Sequence, residues 1–219
     1  GGEVTDRVLD LDTRLTLAIL PNTPFARSTV MRATEKGFEV MLHMPMETHG
    51  DAAKPFPGEI SPAMSREEVQ RLTRDALEQV PGVRGVNNHR GSRFTEDVER
   101  LTDFFDVLKE KQLYFVDSRT HAKTRAYDVA RENGVPAAVR DVFLDNHADT
   151  EYIRKQLAEL VERAKRQGSA IGIGHFRSAT ADGRYGSVAS TCRGLQGRTT
   201  RDGFARDRPA RKDDSALTR

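Results

Sequence analysis

The chain has 219 residues, of which 37% are hydrophobic and 31% are charged, and this length suits a single domain with a sizeable core. No stretch is apolar for long enough to cross a bilayer, so the composition excludes a membrane-spanning chain and predicts a soluble one. Cys192 is the single cysteine, which excludes an internal disulfide and a thiolate metal cluster. Any metal must therefore be held by histidine and carboxylate side chains.

Apolar patterning predicts helices that alternate with strands. In chain order, the predicted elements are helix 3–11, strand 15–20, helix 25–36, strand 38–42, helix 65–80, strand 83–86, helix 95–108, strand 113–116, a helix that ends at 133, strand 138–144, helix 153–164 and strand 170–173. Ser65 and Glu68 form a capping box at the start of one helix. The repeating unit of about 30 residues predicts a parallel sheet with right-handed crossovers.

The charge is divided unevenly along the chain. Residues 176–219 carry ten Lys and Arg against five Asp and Glu, whereas the residues before them carry 25 against 28. The larger part has no basic patch that would indicate nucleic acid as its partner. The tail has almost no periodic apolar face, which predicts disorder. We therefore expect a folded domain over residues 1–175 and a basic, disordered tail over residues 176–219. A weaker alternative makes this tail a nucleic-acid tether.

Six predicted strands fit either a closed barrel or an open doubly wound sheet. Polar residues at or just past the carboxyl ends of five different strands favour the barrel, because a parallel barrel gathers its active site there. An open sheet gathers ligands only near its switch point. The five residues are His43, His89, Asp117, Asp145 and His175.

The densest group of polar side chains is a predicted turn that follows the strand at 83–86. A single turn of this kind is by default a loop with a helix-capping role. Similar polar clusters recur after the later apolar runs, and this recurrence favours a functional site. The turn consists of Asn87, Asn88, His89, Arg90, Gly91 and Ser92.

His43 and Glu47 are possible metal ligands, because imidazole and carboxylate groups suit zinc or a similar divalent ion. The alternative is a core histidine satisfied by the backbone and a solvated carboxylate. Asp117 and Asp145 could equally cap the helices that follow them. For His89, the alternative is a hydrogen-bonding residue at a helix entry.

Five polar segments together resemble the divergent polysaccharide deacetylase family over about residues 13–175. They are Leu42-His43-Met44-Pro45-Met46-Glu47, Asn87-Asn88-His89-Arg90-Gly91-Ser92, Phe115-Val116-Asp117-Ser118-Arg119-Thr120, Arg140-Asp141-Val142-Phe143-Leu144-Asp145-Asn146 and Ile171-Gly172-Ile173-Gly174-His175. The resemblance implies an α/β fold, a distorted (β/α)7-type barrel of the glycoside hydrolase and deacetylase kind, found in the bacterial periplasm or cell envelope. Family members usually begin with an apolar strand that ends in Asp-Asp, and the chain begins just past that point. We therefore expect a barrel that lacks its first strand and can self-associate through its exposed edges.

The resemblance also implies a metal-dependent hydrolase that removes acetyl groups from a glycan. The expected metal is zinc or another divalent ion, held by His43, His89 and Glu47. His175 is the expected general acid, with Asp117 or Asp145 orienting the neighbouring groups. The expected substrate-binding residues are Asn88, Arg90, Ser92 and Arg119. The alternative is a glycan-binding or envelope protein that keeps this fold without hydrolysis; neither interpretation includes a nucleic-acid partner.

Overall fold

The computed structural model describes residues 3–12, 15–50 and 54–175 as an α/β fold. Its helices are α1 (Glu3–Leu9), α2 (Ala26–Glu35), α3 (Arg66–Gln79), α4 (Val98–Glu110), α5 (Ala126–Glu132) and α6 (Thr150–Gln167). Its strands are β1 (Thr16–Ile19), β2 (Glu39–Met46), β3 (Gly85–Arg90), β4 (Tyr114–Asp117), β5 (Ala137–Val139), β6 (Val142–Phe143) and β7 (Gly172–Ile173). The predicted tail, residues 176–219, lies outside the described residues.

The first five strands form one parallel sheet in the order in which they occur along the chain. β6 and β7 form a separate parallel pair. The α/β class and the parallel sheet are therefore confirmed. The sequential order of the first five strands has no reversal, and a doubly wound sheet requires one. Closure into a seven-stranded barrel stays a prediction, as does self-association through sheet edges.

The two faces of the five-stranded sheet have different partners, because side chains alternate along each strand. One face packs against the helices, and Leu42, Val86 and Phe115 are fully buried there in the main core. The opposite face carries a smaller cluster of Met41, Tyr114 and Val116, against which Ile171 and Ile173 of the β7 region pack. The β6–β7 pair therefore lies on the side of the sheet that faces away from the helices.

Two of the predicted strands end later than their apolar pattern indicates. β2 continues to Met46, so His43 lies within this strand rather than at its carboxyl end. β3 continues to Arg90, and the predicted turn is wrong in its first part. The backbone turns at Arg90 and Gly91, which have φ angles of 58° and 96°. Polar residues can extend a buried strand when neighbouring groups satisfy their hydrogen bonds.

The predicted strand over residues 138–144 is two strands in different sheets. The break occurs at Arg140 and Asp141, where consecutive amide groups change partner. The Arg140 N–H donates to the Asp117 carbonyl at 3.0 Å, and the Asp141 N–H donates to the Ile171 carbonyl at 2.8 Å. This short segment therefore leads the chain from the five-stranded sheet to the β6–β7 pair.

The capping box at the start of α3 is confirmed. The Ser65 hydroxyl accepts the Glu68 N–H at 3.3 Å, and the Glu68 carboxylate accepts the Ser65 N–H at 2.9 Å. Replacing Ser65 with alanine should lower the free energy of unfolding by about 1 kcal/mol, since it removes an acceptor for an exposed helix N–H group. Ser65→Asp keeps an acceptor and should stay near the wild type in urea unfolding. An equal loss in both variants would contradict a capping role.

None of the described helices is both long and apolar enough to cross a membrane.

Candidate functional site

Two histidines from neighbouring strands meet on the face of the sheet that points away from the helices. His43 of β2 lies beside Asn87 of β3 in the strand register, and its Nδ1 is 2.9 Å from Asn87 Oδ1. His43 Nε2 is 3.1 Å from Nδ1 of His89, with the ring centroids 4.8 Å apart. A carboxamide oxygen can only accept, so Nδ1 of His43 carries a proton and Nε2 presents its lone pair toward His89. We call His43 and His89 the histidine pair.

Both members of the histidine pair are uncharged at neutral pH. Burial lowers the pKa of His43 to about 3, and the neighbouring His89 lowers it further than burial alone would. Burial also lowers the pKa of His89 to about 4, with the positive charges of Arg90 and His175 acting in the same direction. An imidazole with so low a pKa is a weak proton acceptor. The pair is therefore better suited to donate lone pairs as neutral ligands than to carry out acid–base catalysis.

The depressed pKa values predict a pH-dependent stability for the metal-free protein. The ordinary pKa of a histidine is 6.5, so between about pH 7 and pH 4 the unfolded chain binds more protons than the native one. The free energy of unfolding should therefore fall as the pH is lowered through this window. His43→Gln cannot titrate, and it should lose less stability over the same window in urea unfolding. Parallel pH curves for His43→Gln and the wild type would contradict this assignment.

His175 and Asp145 form a second polar unit, carried by the β6–β7 pair. Asp145 follows β6 and is 1% exposed. Its Oδ2 accepts the His175 backbone N–H at 2.8 Å, and its Oδ1 lies 3.1 Å from His175 Nδ1. The carboxylate thus holds the Nδ1–H tautomer, which leaves Nε2 as the atom that can exchange a proton. His175 lies close enough to the histidine pair to influence the pKa of both members.

Asp117 is held in a different environment, on the helix-packed face that it shares with Phe115 of the same strand. Asp117 is 1% exposed, and its oxygens accept the Arg119 N–H at 2.7 Å and the Thr124 hydroxyl at 2.9 Å. Burial raises the pKa of Asp117, and these hydrogen bonds oppose that shift. The contacts are those of a carboxylate that organises the loop after β4. Its catalytic role stays a prediction.

Asn88 also occupies the helix-packed face and is 1% exposed. Its amide oxygen accepts the Ser118 N–H at 2.8 Å, and its amide nitrogen donates to the Arg90 carbonyl at 2.8 Å. Asn88 therefore joins the end of β3 to the end of β4.

Glu47 and Ser92 make contacts that sequence spacing does not reveal. Glu47 forms an ion pair with Arg93. The Ser92 hydroxyl lies 2.5 Å from the Thr48 hydroxyl and accepts the His49 N–H at 2.9 Å. Across the described residues, no three His, Cys, Asp or Glu side chains form a group that could hold a metal. The structure therefore assembles two of the three predicted metal ligands and places Glu47 with an arginine.

The predicted substrate-binding arginines lie at turns of the carboxyl edge. Arg90 and Arg119 both have positive φ angles, 58° and 47°. Nη1 of Arg90 donates to the Lys54 carbonyl at 3.4 Å, and the Thr120 hydroxyl donates to the Arg90 carbonyl at 2.8 Å. These contacts fix the two turns to each other and to the loop after β2. The substrate-binding roles of Asn88, Arg90, Ser92 and Arg119 stay predictions.

Arg140 was missed as a site residue in the sequence. Its guanidinium donates to the carbonyls of Ser118 at 2.7 Å and Arg119 at 3.0 Å, and it lies 5.0 Å from the ring centroid of Phe143. The Phe143 ring in turn contacts the His175 ring, at 5.5 Å between centroids. Arg140 therefore connects the loop after β4 to the His175 side of the site. A charged residue inside an apolar predicted strand was its signal.

Phe56 was also missed, and Asn87 was predicted only as a member of the polar turn, without a role of its own. Asn87 lies two positions before His89, and this spacing places both side chains on one face once β3 is known to continue. The Phe56 ring lies 5.5 Å from the His89 ring, edge to face. The length of the segment 48–63 and its prolines and glycines predict a surface loop beside the site, but the sequence does not single out Phe56 within it.

The parallel α/β fold carries its histidine pair in the carboxyl halves of two adjacent strands, and comparison with known proteins identifies the family of this fold. The chain belongs to the divergent polysaccharide deacetylase family, whose model matches residues 2–188. The family predicted from the sequence is therefore confirmed.

The chain is similar to two curated relatives and to one solved structure. The chain is 35% identical over 176 residues to the uncharacterized protein YibQ of Escherichia coli, covering 80% of this chain and 54% of YibQ. It is 36% identical over 166 residues to an uncharacterized protein of Haemophilus influenzae, covering 76% of this chain and 59% of that protein. The crystal structure of the uncharacterized protein ATU2773 from Agrobacterium tumefaciens has the same fold, with a TM-score of 0.78 at 22% identity, over 90% of this chain and 80% of that one. The chain thus spans a little over half the length of the curated relatives that it matches.

Proposed function

We propose that the chain is a carbohydrate deacetylase-type hydrolase that cleaves the C–N bond of N-acetylated glycans. The observation that carries this proposal is the histidine pair, oriented by Asn87 in the carboxyl halves of two adjacent parallel strands, in a member of the divergent polysaccharide deacetylase family. The proposal includes the distorted (β/α)7-type barrel. Ile171 and Ile173 pack on the face of the five-stranded sheet that points away from the helices, and this packing supports that architecture.

The histidine pair fits two ligand positions of a zinc ion. Two nitrogen ligands of a tetrahedral zinc ion lie about 3.3 Å apart, since each Zn–N distance is about 2.0 Å. His43 Nε2 and His89 Nδ1 are 3.1 Å apart and belong to uncharged rings, as metal ligation requires. Asn87 holds His43 through its other nitrogen, which is the usual support for a ligating imidazole. His43 and His89 would hold a divalent ion there, which would supply Lewis acidity toward the acetamide carbonyl.

The remaining residues bind the substrate and move protons. A water molecule adds through its oxygen to the acetamide carbonyl carbon. His175, held at Nδ1 by Asp145, donates a proton from Nε2 to the amine nitrogen as the C–N bond breaks, so that acetate and the free amine are released. Arg140 and Phe143 keep the His175 ring in place. Arg90 and Arg119 bind hydroxyl or acyl oxygens of the sugar from their turns. We also propose a periplasmic or envelope location, supported by the family resemblance alone.

Acetate release tests this proposal. The purified chain, supplied in turn with zinc, cobalt, manganese and magnesium, should release acetate from short oligomers of N-acetylglucosamine, with the loss of acetyl groups followed by mass spectrometry. His43→Gln should be inactive, whereas Met31→Ala, which changes an exposed residue of α2, should act as the wild type does. An absence of acetate release with every metal would contradict the proposal.

A second candidate function is glycan binding without hydrolysis. The observation that favours it is that the described residues form no three-residue group able to hold a metal. Saturable binding of the same oligomers, with no acetyl loss under any metal condition, would select this function over catalysis.

A further inference from the structure

The loop after β2 brings an aromatic ring to the edge of the histidine pair. We propose that Phe56 is the wall of a glycan subsite, on which one pyranose ring of an N-acetylated glycan stacks while the neighbouring acetamide reaches the histidine pair. This inference rests on the proposed function and adds the residue that would select a sugar chain as the ligand.

The position of the Phe56 ring beside His89 supports this proposal. The Phe56 and His89 rings are 5.5 Å apart and inclined by 66°, so the edge of one ring meets the face of the other. His89 in turn contacts His43, which makes Phe56 a direct neighbour of the histidine pair. Phe56 is only partly buried, and the prolines on either side of it are exposed. Part of its ring is therefore available to a ligand that reaches His89.

Hydrogen bonds hold the loop that carries Phe56 in one position, as the wall of a binding site requires. The Ile60 N–H donates to the Pro45 carbonyl at 3.0 Å, and the Glu47 N–H donates to the Ile60 carbonyl at 2.9 Å, so the loop returns onto β2. The Asn22 side chain donates to the Pro57 carbonyl at 3.0 Å from the other side.

Two further features of the loop fix its tip. Gly58 has a φ angle of 76°, and a Cβ atom at this position would lie 2.4 Å from the Asn22 amide nitrogen. The Glu59 N–H donates to the Phe56 carbonyl at 2.9 Å. Proline on both sides of Phe56 restricts the backbone further. The ring is thus held by a braced turn rather than by a loose loop.

The side chains around Phe56 match the chemistry of a pyranose ring. A pyranose ring presents C–H groups on its faces and hydroxyls around its rim, so it fits a site with one apolar wall and a few polar groups. Phe56 supplies the apolar surface, and the nearby Arg90, which donates to the Lys54 carbonyl of the same loop, supplies a donor at its border. A ring stacked on Phe56 would therefore lie next to His89.

Fluorescence gives a direct test, because the sequence contains no tryptophan. Phe56→Trp makes the proposed wall the sole tryptophan, and its emission should shift and saturate on titration with short oligomers of N-acetylglucosamine. Met31→Trp is the matched control, since Met31 is 62% exposed on a helix, and its emission should not change.

Isothermal titration calorimetry gives a second test. Phe56→Ala should weaken binding of the same oligomers about tenfold, and Phe56→Tyr should bind them as the wild type does. Circular dichroism checks that each variant is folded.

The outcomes separate the wall from the proposed function. Wild-type affinity in folded Phe56→Ala, or unchanged Phe56→Trp emission at a concentration that saturates the wild type, would overturn the wall and leave the deacetylase proposal standing. A wild-type protein that neither binds nor deacetylates the oligomers would overturn the proposed function, and the wall with it.

Discussion

Replacing His89 with alanine is expected to abolish zinc binding and acetate release together. His89 Nδ1 faces His43 Nε2 at 3.1 Å, so its removal leaves one imidazole where two are needed. The loss of activity should exceed about a hundredfold, because even the outer partners of metal ligands contribute roughly 10- to 100-fold. Zinc content is measured by elemental analysis after dialysis against metal-free buffer, and acetate release by mass spectrometry of the glycan.

The matched control for this experiment is His147→Ala. His147 is an exposed histidine whose ring packs on Tyr152, at 4.8 Å between centroids. Its loss removes one imidazole from the chain and should leave zinc content and activity unchanged. Zinc content that stayed at the wild-type level in His89→Ala would show that His89 is not a ligand.

Replacing Phe115 with alanine is expected to produce the largest loss of stability from a single side chain. Phe115 is fully buried on β4, with its ring centroid 5.0 Å from that of Phe105 and 6.0 Å from that of Phe104. The free energy of unfolding should fall by about 3–5 kcal/mol, because a tightly packed aromatic cluster cannot close over the cavity. Urea unfolding followed by circular dichroism measures the change.

Phe25→Ala is the comparison, since Phe25 is 56% exposed and its truncation should change stability by no more than about 0.5 kcal/mol. If the two substitutions cost the same, the aromatic cluster behind β4 would not be the centre of the core. The cluster matters to the site because β4 carries Asp117, which organises the loop that contains Arg119.

Helix positions could be predicted well because each buried helix face repeats in the sequence. Val69 and Ala76 of α3 are seven residues apart and both face the core, and Ser65 marks the start of that helix. The ends of the strands could not be predicted in the same way. Asn87 remains within β3 because His43 and Ser118, 44 and 31 residues away, satisfy its amide group. Hydrogen-bond partners this far apart in the sequence cannot be recognised from a local pattern of residues.

The sequence predicted that His43 and His89 lie close together, but it did not predict the contacts of their neighbours. His43 and His89 do lie together, since the carboxyl halves of adjacent parallel strands must be close. The predicted strand ended at residue 86, so the alternation of side chains along a strand was not applied to Asn87 and Asn88. The sequence therefore did not predict that these two side chains point to opposite faces of the sheet. Glu47 was grouped with His43 because it is near in sequence, but its ion pair with Arg93 spans 46 residues.

The division of the strands into two sheets places the two polar units of the candidate site on separate supports. The histidine pair belongs to the five-stranded sheet, whereas His175 and Asp145 are carried by β6 and β7. The cluster between these two units consists of Met41, Tyr114 and Val116, with Ile171 and Ile173 packed against it. A methyl group gained or lost in that cluster would change the distance between His175 and the histidine pair while every polar residue stayed the same. Two relatives with identical polar residues would then differ in the spacing of these two units, set by the volume of the apolar side chains between them.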